Sequence, residues 1–233
     1  MKVLRRSNII YNQVFFVILS LVYLHILFSL DADITALNLV RFLDLVKGSP
    51  ELIGLSVVTI IAILLVRKLS IFLLTIFTLV IFYKSFSIYI ISNSKLILLL
   101  NVVYMISSYN MILLLKEELS LAIYKPNFSS SSLEVENYKQ VKAHISHGTQ
   151  NISGYLTNID KDGFVIKLDD NAQIRGRVDI IIPFEGTDFY THGIVATKFE
   201  QGYGIKLVDS KKEPSVLGWK ELYNIFYKRG YSL

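Results

Sequence analysis

Residues 154–168 read GYLTNIDKDGFVIKL. Two β-prone runs flank the tetrad Asp160-Lys161-Asp162-Gly163, and its Asp-Gly pair supplies the backbone angles that a tight hairpin turn needs. Outward from this hairpin, similar runs fall at residues 139–145, 152–158, 164–168, 177–184, 189–199 and 203–207. Turn signals stand between them at Asp169-Asp170-Asn171, Glu185-Gly186 and Gln201-Gly202. Six short strands at this spacing predict a small closed all-β barrel. Pro214 and Ser215 then open a helix with Val216, Trp219, Leu222, Tyr223 and Phe226 on one face, an apolar stripe suited to plugging or flanking the barrel.

The chain upstream has different chemistry. Of 233 residues, 52% are hydrophobic and 18% charged, with mean hydropathy +0.48. Soluble domains average about 45–50% apolar and about 25% charged. Disorder over most of the chain is excluded, since it needs low hydrophobicity and high charge. The absence of cysteine excludes a disulfide scaffold, a Cys-ligated zinc and a thiol nucleophile. Residues 1–116 carry ten Lys/Arg against four Asp/Glu, while 117–233 carry fourteen against fifteen. The basic pI of about 9.2 therefore comes from the apolar half. Such a distribution reads as membrane orientation, not as the basic face of a nucleic-acid binder.

Four apolar runs occupy residues 9–30, 52–66, 69–91 and 96–115. The first, 22 residues without a formal charge, matches the ~30 Å hydrocarbon core. It is long for a signal-peptide core and no small-x-small cleavage site follows, so it is expected to stay. The second is short, but Arg67 and Lys68 at its end can snorkel to the interface. Four transmembrane helices are expected. Lys2, Arg5, Arg6, Arg67, Lys68 and Lys116 fall on one side, and only Arg41, Lys47 and Lys95 in the opposite loops. The positive side is cytoplasmic by the usual bias, which puts both termini there. Ile34, Leu37, Val40, Leu43 and Val46 are spaced as a short amphipathic helix on the outer face. Residues 125–132, KPNFSSSS, read as a breaker and linker. The expected organisation is a four-helix transmembrane domain at 1–116, a cytoplasmic helix extension and linker at 117–137, and a barrel with a C-terminal helix at 138–233.

The segment 151–209 resembles a PilZ domain, the bacterial module that binds cyclic di-GMP. The resemblance is carried by the quoted hairpin, by GRVDIIIPF at 176–184, by GIVAT at 193–197 and by GYGIKL at 202–207. It covers roughly the last 100 residues. The fold it implies is a six-stranded PilZ-like barrel behind a membrane α-helical bundle. In the family, an Asp/Asn-x-Ser-x-x-Gly motif contacts the ligand; Asn158 and Gly163 match it, with Asp160 where serine stands. A paired-arginine motif precedes the first strand; no arginine lies between Arg67 and Arg175, and Lys139 and Lys142 occupy that place. Guanidinium is planar, grips phosphate bidentately and stacks on a base, whereas lysine is a point charge. Asp160 also sets a negative charge beside a dianionic ligand. Arg175 and Arg177 are the remaining guanidinium candidates. The tentative ligand set is thus Lys139, Lys142, Asn158, Asp160, Gly163, Arg175 and Arg177.

Two other readings of these residues are weaker. Asn158, Asp160, Asp162, Gly163 and Asp169 match EF-hand positions, yet the flanks are strand-like and the last position lacks glutamate, so the hairpin turn is preferred. His144 and His147 form a close pair without a third ligand, which excludes an ordinary metal site. Neither a catalytic motif nor a cofactor motif is present, and no enzymatic activity is expected. The apolar runs contain no Asp or Glu, against a proton relay or self-contained transporter; Lys84 inside the third run is expected to snorkel.

The resemblance implies a multi-pass signalling protein of the bacterial inner membrane, presenting its barrel to the cytoplasm and controlling motility or surface polysaccharide export, with cyclic di-GMP as ligand. The alternative is a structural or assembly subunit whose barrel docks a protein partner without ligand, a reading the missing arginines favour. A channel subunit ranks third. Expected partners are the lipid bilayer and a membrane-complex protein, with no nucleic-acid polymer.

Overall fold

The computed structural model describes residues 2–32, 35, 43, 48–124, 141–147, 150–168, 172–200, 202–208 and 217–229. The expected outer-face helix lies largely outside these residues. So do the linker, Lys139, Asp169-Asp170 and the start of the C-terminal helix at Pro214. Two units form: Arg6–Leu119, and Met1–Arg5 together with Ser120–Leu233.

In the first unit the four apolar runs become helices α1 (Asn8–Asp31), α2 (Pro50–Leu64), α3 (Leu69–Ser92) and α4 (Lys95–Ser120), the last running one residue past the unit boundary. Pro50 starts α2 at the one position where its missing N–H costs nothing, and Glu51 stands in the favourable first turn. Asn93 ends α3 in the left-handed conformation, its N–H bonded to the Tyr89 carbonyl at 2.8 Å. At 24, 24 and 26 residues, α1, α3 and α4 are long and apolar enough to cross a membrane, whereas α2 has 15 residues. Polar side chains bond inside this unit. Tyr23 donates to Asn101 Oδ1 (2.8 Å), Asn101 to the Ser85 carbonyl (3.4 Å), Tyr104 to Ser20 (3.2 Å) and Gln13 to the Met111 carbonyl (2.8 Å). The Tyr23 and Tyr104 rings stack at 4.6 Å. Lys84 reaches the start of α2, 3.2 Å from Ser49 Oγ and 3.4 Å from Glu51.

The second unit begins with a two-residue strand that its sequence does not announce, β1 (Lys2–Val3). After α4 comes a single 3-10 turn, η1 (Ala122–Tyr124). The barrel strands are β2 (Val141–His147), β3 (Gln150–Asp160), β4 (Gly163–Leu168), β5 (Arg177–Phe184), β6 (Thr187–Lys198) and β7 (Gly202–Leu207). All pairings are antiparallel and run β6-β5-β2-β3-β4-β7, with β7 returning to β6, so the barrel is closed and six-stranded. β5 leaves β6 at Ile194; beyond that point β1 takes the same edge, pairing Val3 with Thr197 and Lys2 with Lys198. The Leu4 and Arg5 amides both donate to the Ala196 carbonyl, at 2.8 and 3.1 Å.

Ile145, Leu156, Phe164, Ile166, Ile180, Ile182 and Ile205 fill the barrel interior. The helix α5 (Trp219–Lys228) closes the end that holds the Asp160–Gly163 turn. Trp219 lies 5.0 Å from Phe164 and donates its indole N–H to the Lys161 carbonyl at 3.0 Å, while Phe226 meets Phe184 edge-on at 5.0 Å. Beside that contact, Arg229 forks onto the Glu185 carboxylate. The expected apolar stripe is therefore core: Trp219, Leu222 and Phe226 are all buried.

Two register shifts interrupt the wall, between Leu156 and Ile159 in β3 and between Val195 and Thr197 in β6. A bulge re-aims side chains. The buried polar side chains among this unit's described residues, Asn158 and Thr197, both sit at these shifts.

Candidate functional site

The Asp160–Gly163 turn is engaged by the chain itself. One oxygen of Asp160 accepts the Lys161 amide at 2.6 Å, and the other accepts the Ala122 amide at 3.3 Å. The carboxylate thereby caps the start of η1, where free N–H groups favour a negative partner. Thr197 Oγ1, fully buried, donates to the Ile123 carbonyl at 2.6 Å. Ile123 lies flat on two glycines. A Cβ on Gly163 would come within 2.8 Å of the Ile123 side chain, and one on Gly204 within 2.5 Å of its carbonyl oxygen. Only a residue without Cβ allows this approach. Ile123 itself is 1% exposed.

The expected ligand set is dispersed. Asn158 is buried at the β3 shift. Lys142 is exposed on β2, opposite Tyr155, with its ammonium 5.9 Å from that ring. Tyr155 lies five residues before Asp160, which at ~3.3 Å per residue along β3 and ~4.8 Å across to β2 puts Lys142 roughly 17 Å from the turn. Arg177 pairs with Ile194, whose neighbour Lys206 pairs with Gly163; at ~4.8 Å per strand this is about 14 Å around the wall. Arg175 precedes β5 at the far end of the barrel. Asp160 and Gly163 thus meet η1, and of the expected set neither Lys142, Arg175 nor Arg177 joins them. His144 bonds Ser153 at 3.0 Å, and among the described residues no group of three His, Cys, Asp or Glu is placed to hold a metal ion.

The sequence reading missed Ala122, Ile123 and Thr197. Ile-Tyr before a breaker looked like the tail of a helix, and Thr197 looked like an ordinary strand residue. One signal was present: Gly204 sits within the run 203–207, where glycine marks close backbone approach.

A second concave site lies at the other end of the barrel. Lys2 and Leu4, residues 173–175, Lys198, Phe199, Glu200 and Tyr203 surround it.

No protein-family model matches the chain, and no curated protein matches it. Among solved structures, the PilZ domain of CeSA from a cellulose-synthesizing bacterium is similar at 14% identity and a TM-score of 0.29, covering 40% of this chain and 93% of that one. At that TM-score the likeness adds nothing to the barrel described above.

Proposed function

We propose that this chain is a membrane-anchored regulatory protein with a PilZ-type barrel that works by docking protein segments, not by catalysis. The observation that carries the proposal is the grip of Asp160, Gly163, Thr197 and Gly204 on η1. The turn that resembles the family's ligand motif spends both carboxylate oxygens on backbone amides. A dianionic ligand entering there would displace Ile123 and meet the negative charge of Asp160. The barrel is tied to the segment that leaves α4, and a partner that binds or releases that segment would change how the barrel is presented.

Four membrane crossings are part of the proposal, and parity supports them. β1 precedes all four helices and pairs with β6, which follows them. Both ends of the helical unit then lie on one side of the bilayer, which requires an even number of crossings. With α1, α3 and α4 crossing, α2 crosses as well, its 15 residues extended by Arg67 and Lys68 snorkelling to the interface. The excess of cations on that side supports a cytoplasmic placement, and the inner membrane of a bacterium is the compartment the resemblance implies.

The second reading is a cyclic di-GMP sensor acting on motility or surface polysaccharide export, favoured by the Asn158 and Gly163 matches. One experiment separates the two. The full chain in nanodiscs is titrated with cyclic di-GMP by calorimetry, and native membranes are solubilised for co-purification. Docking predicts no heat at high micromolar ligand and a stoichiometric partner retained without nucleotide. Saturable heat that Lys142→Ala removes overturns docking in favour of the sensor.

A further inference from the structure

The barrel end opposite α5 opens into a cavity of about 450 Å³, within the roughly 300–1,000 Å³ of small-molecule sites. Its floor is apolar: Ile174, Phe199 and Tyr203 are each 5% exposed or less. Among the described residues its rim carries three cations, Lys2, Arg175 and Lys198, and one carboxylate, that of Glu200. Three separate chain segments bring these cations together: β1, the connection ahead of β5, and the end of β6. Lys2 and Lys198 make no ion pair among the described residues; Lys198 stands instead 5.7 Å from the Tyr203 ring centre. The Tyr203 hydroxyl donates to the Ala172 carbonyl at 3.1 Å and so fixes the segment that carries Arg175.

Convergent cations over an apolar floor repel one another more than they would in open water, and a multivalent anion relieves that repulsion. The geometry points to this mouth as a binding site for a small phosphate-bearing anion. The Arg175 guanidinium grips two phosphate oxygens, the ammonium groups of Lys2 and Lys198 neutralise the remaining charge, and the less polar part of the ligand lies on Phe199 and Tyr203. The site shares no residue with the Asp160 turn and stands whether or not that turn binds a ligand. Because Lys2 belongs to β1, binding is linked to β1–β6 pairing: anion and strand strengthen each other by the same factor. Four residues, Leu4 to Ser7, separate β1 from α1, so the linkage acts on the strand that leads into the first apolar helix.

The test uses the full chain in phosphatidylcholine nanodiscs with ATP as the probe, and in phosphatidylglycerol nanodiscs without nucleotide. Hydrogen exchange is read at the Leu4 and Arg5 amides, both bonded to Ala196. ATP is expected to slow exchange at these amides about fivefold or more, with saturation. Replacing Arg175 and Lys198 together by Gln should weaken the half-saturation concentration about tenfold, and Glu200→Gln should tighten it about two- to threefold. Asp160→Asn should leave it unchanged. Protection in phosphatidylglycerol alone that the double variant abolishes supports the same site with a lipid headgroup as the phosphate source. Absence of protection in both membranes overturns the site. So does protection that survives the double variant, or a Glu200→Gln change that weakens binding.

Discussion

In the helical unit, Gln13, Thr59, Ser70 and Ser85 are fully buried, while Phe15, Phe72, Tyr83 and Ile91 are 60–81% exposed. The barrel unit is the reverse. Ile145, Phe164, Ile205 and Phe226 are fully buried, and its described lysines and carboxylates are exposed or half-buried. One chain thus follows two rules of burial, the pattern expected if the long apolar helices lie in lipid and the barrel in water. Water drives apolar side chains into the barrel. Where lipid is as apolar as leucine, that drive is absent between helices, and interhelical hydrogen bonds and van der Waals packing remain. The polar residues inside the bundle are its connectors; those inside the barrel, Asn158 and Thr197, mark where the wall bends to receive η1.

The sharpest way to break this contrast is a pair of phenylalanines. Phe226→Ala in the barrel should cost about 3–5 kcal/mol, seen as a large drop in the barrel's unfolding midpoint. Phe72→Ala, at a side chain 61% exposed, should change stability in nanodiscs by less than about 0.5 kcal/mol. A large effect at Phe72 would mean that this face is covered by protein and not by lipid.

Glycines give a second pair. Gly204→Ala places a methyl against Thr197 and the Ile123 carbonyl and should destabilise by about 1–3 kcal/mol. Gly54→Ala, with nothing within 4 Å of the new methyl in the middle of α2, should stabilise that helix by up to about 1 kcal/mol. Thr197→Val then tests the docking contact alone. Losing one buried hydrogen bond should cost about 1–2 kcal/mol and speed hydrogen exchange at the Ala122 and Tyr124 amides. The smallest effect belongs to the bundle. Asn101→Leu severs Tyr23 and Ser85 together, yet membrane hydrogen bonds average about 0.6 kcal/mol, and thermal scans in nanodiscs should move by only a few degrees.

Much of this architecture was legible from pattern alone. Arg177–Phe184 emerged at the bounds its alternation predicts, because a strand with one face in a core must alternate. Thr187–Lys198 began two residues early, since the Glu185-Gly186 turn is tighter than the sequence required. The four helices followed from long apolar runs, of which the third is interrupted by Lys84. What stayed hidden was long-range. Lys2 and Val3 are too few to show a period, and their neighbours Arg5 and Arg6 read as orientation charges. Asp160 matched a ligand motif in sequence, and nothing local revealed that its carboxylate faces Ala122, 38 residues away. The cavity at the barrel mouth draws on residues up to 201 positions apart, a juxtaposition that no window along the chain contains.

The edge that β1 fills also sets a timetable for biogenesis. Its partner at Lys198 is translated about 200 residues later, a delay of roughly 10 s or more at 5–20 residues per second. Throughout that interval Lys2 to Arg5 wait while the four apolar helices between them and their partner are made. That edge can be covered only after β6 has been made, and a chain in which β1 failed to pair would leave the Ala196–Lys198 edge bare.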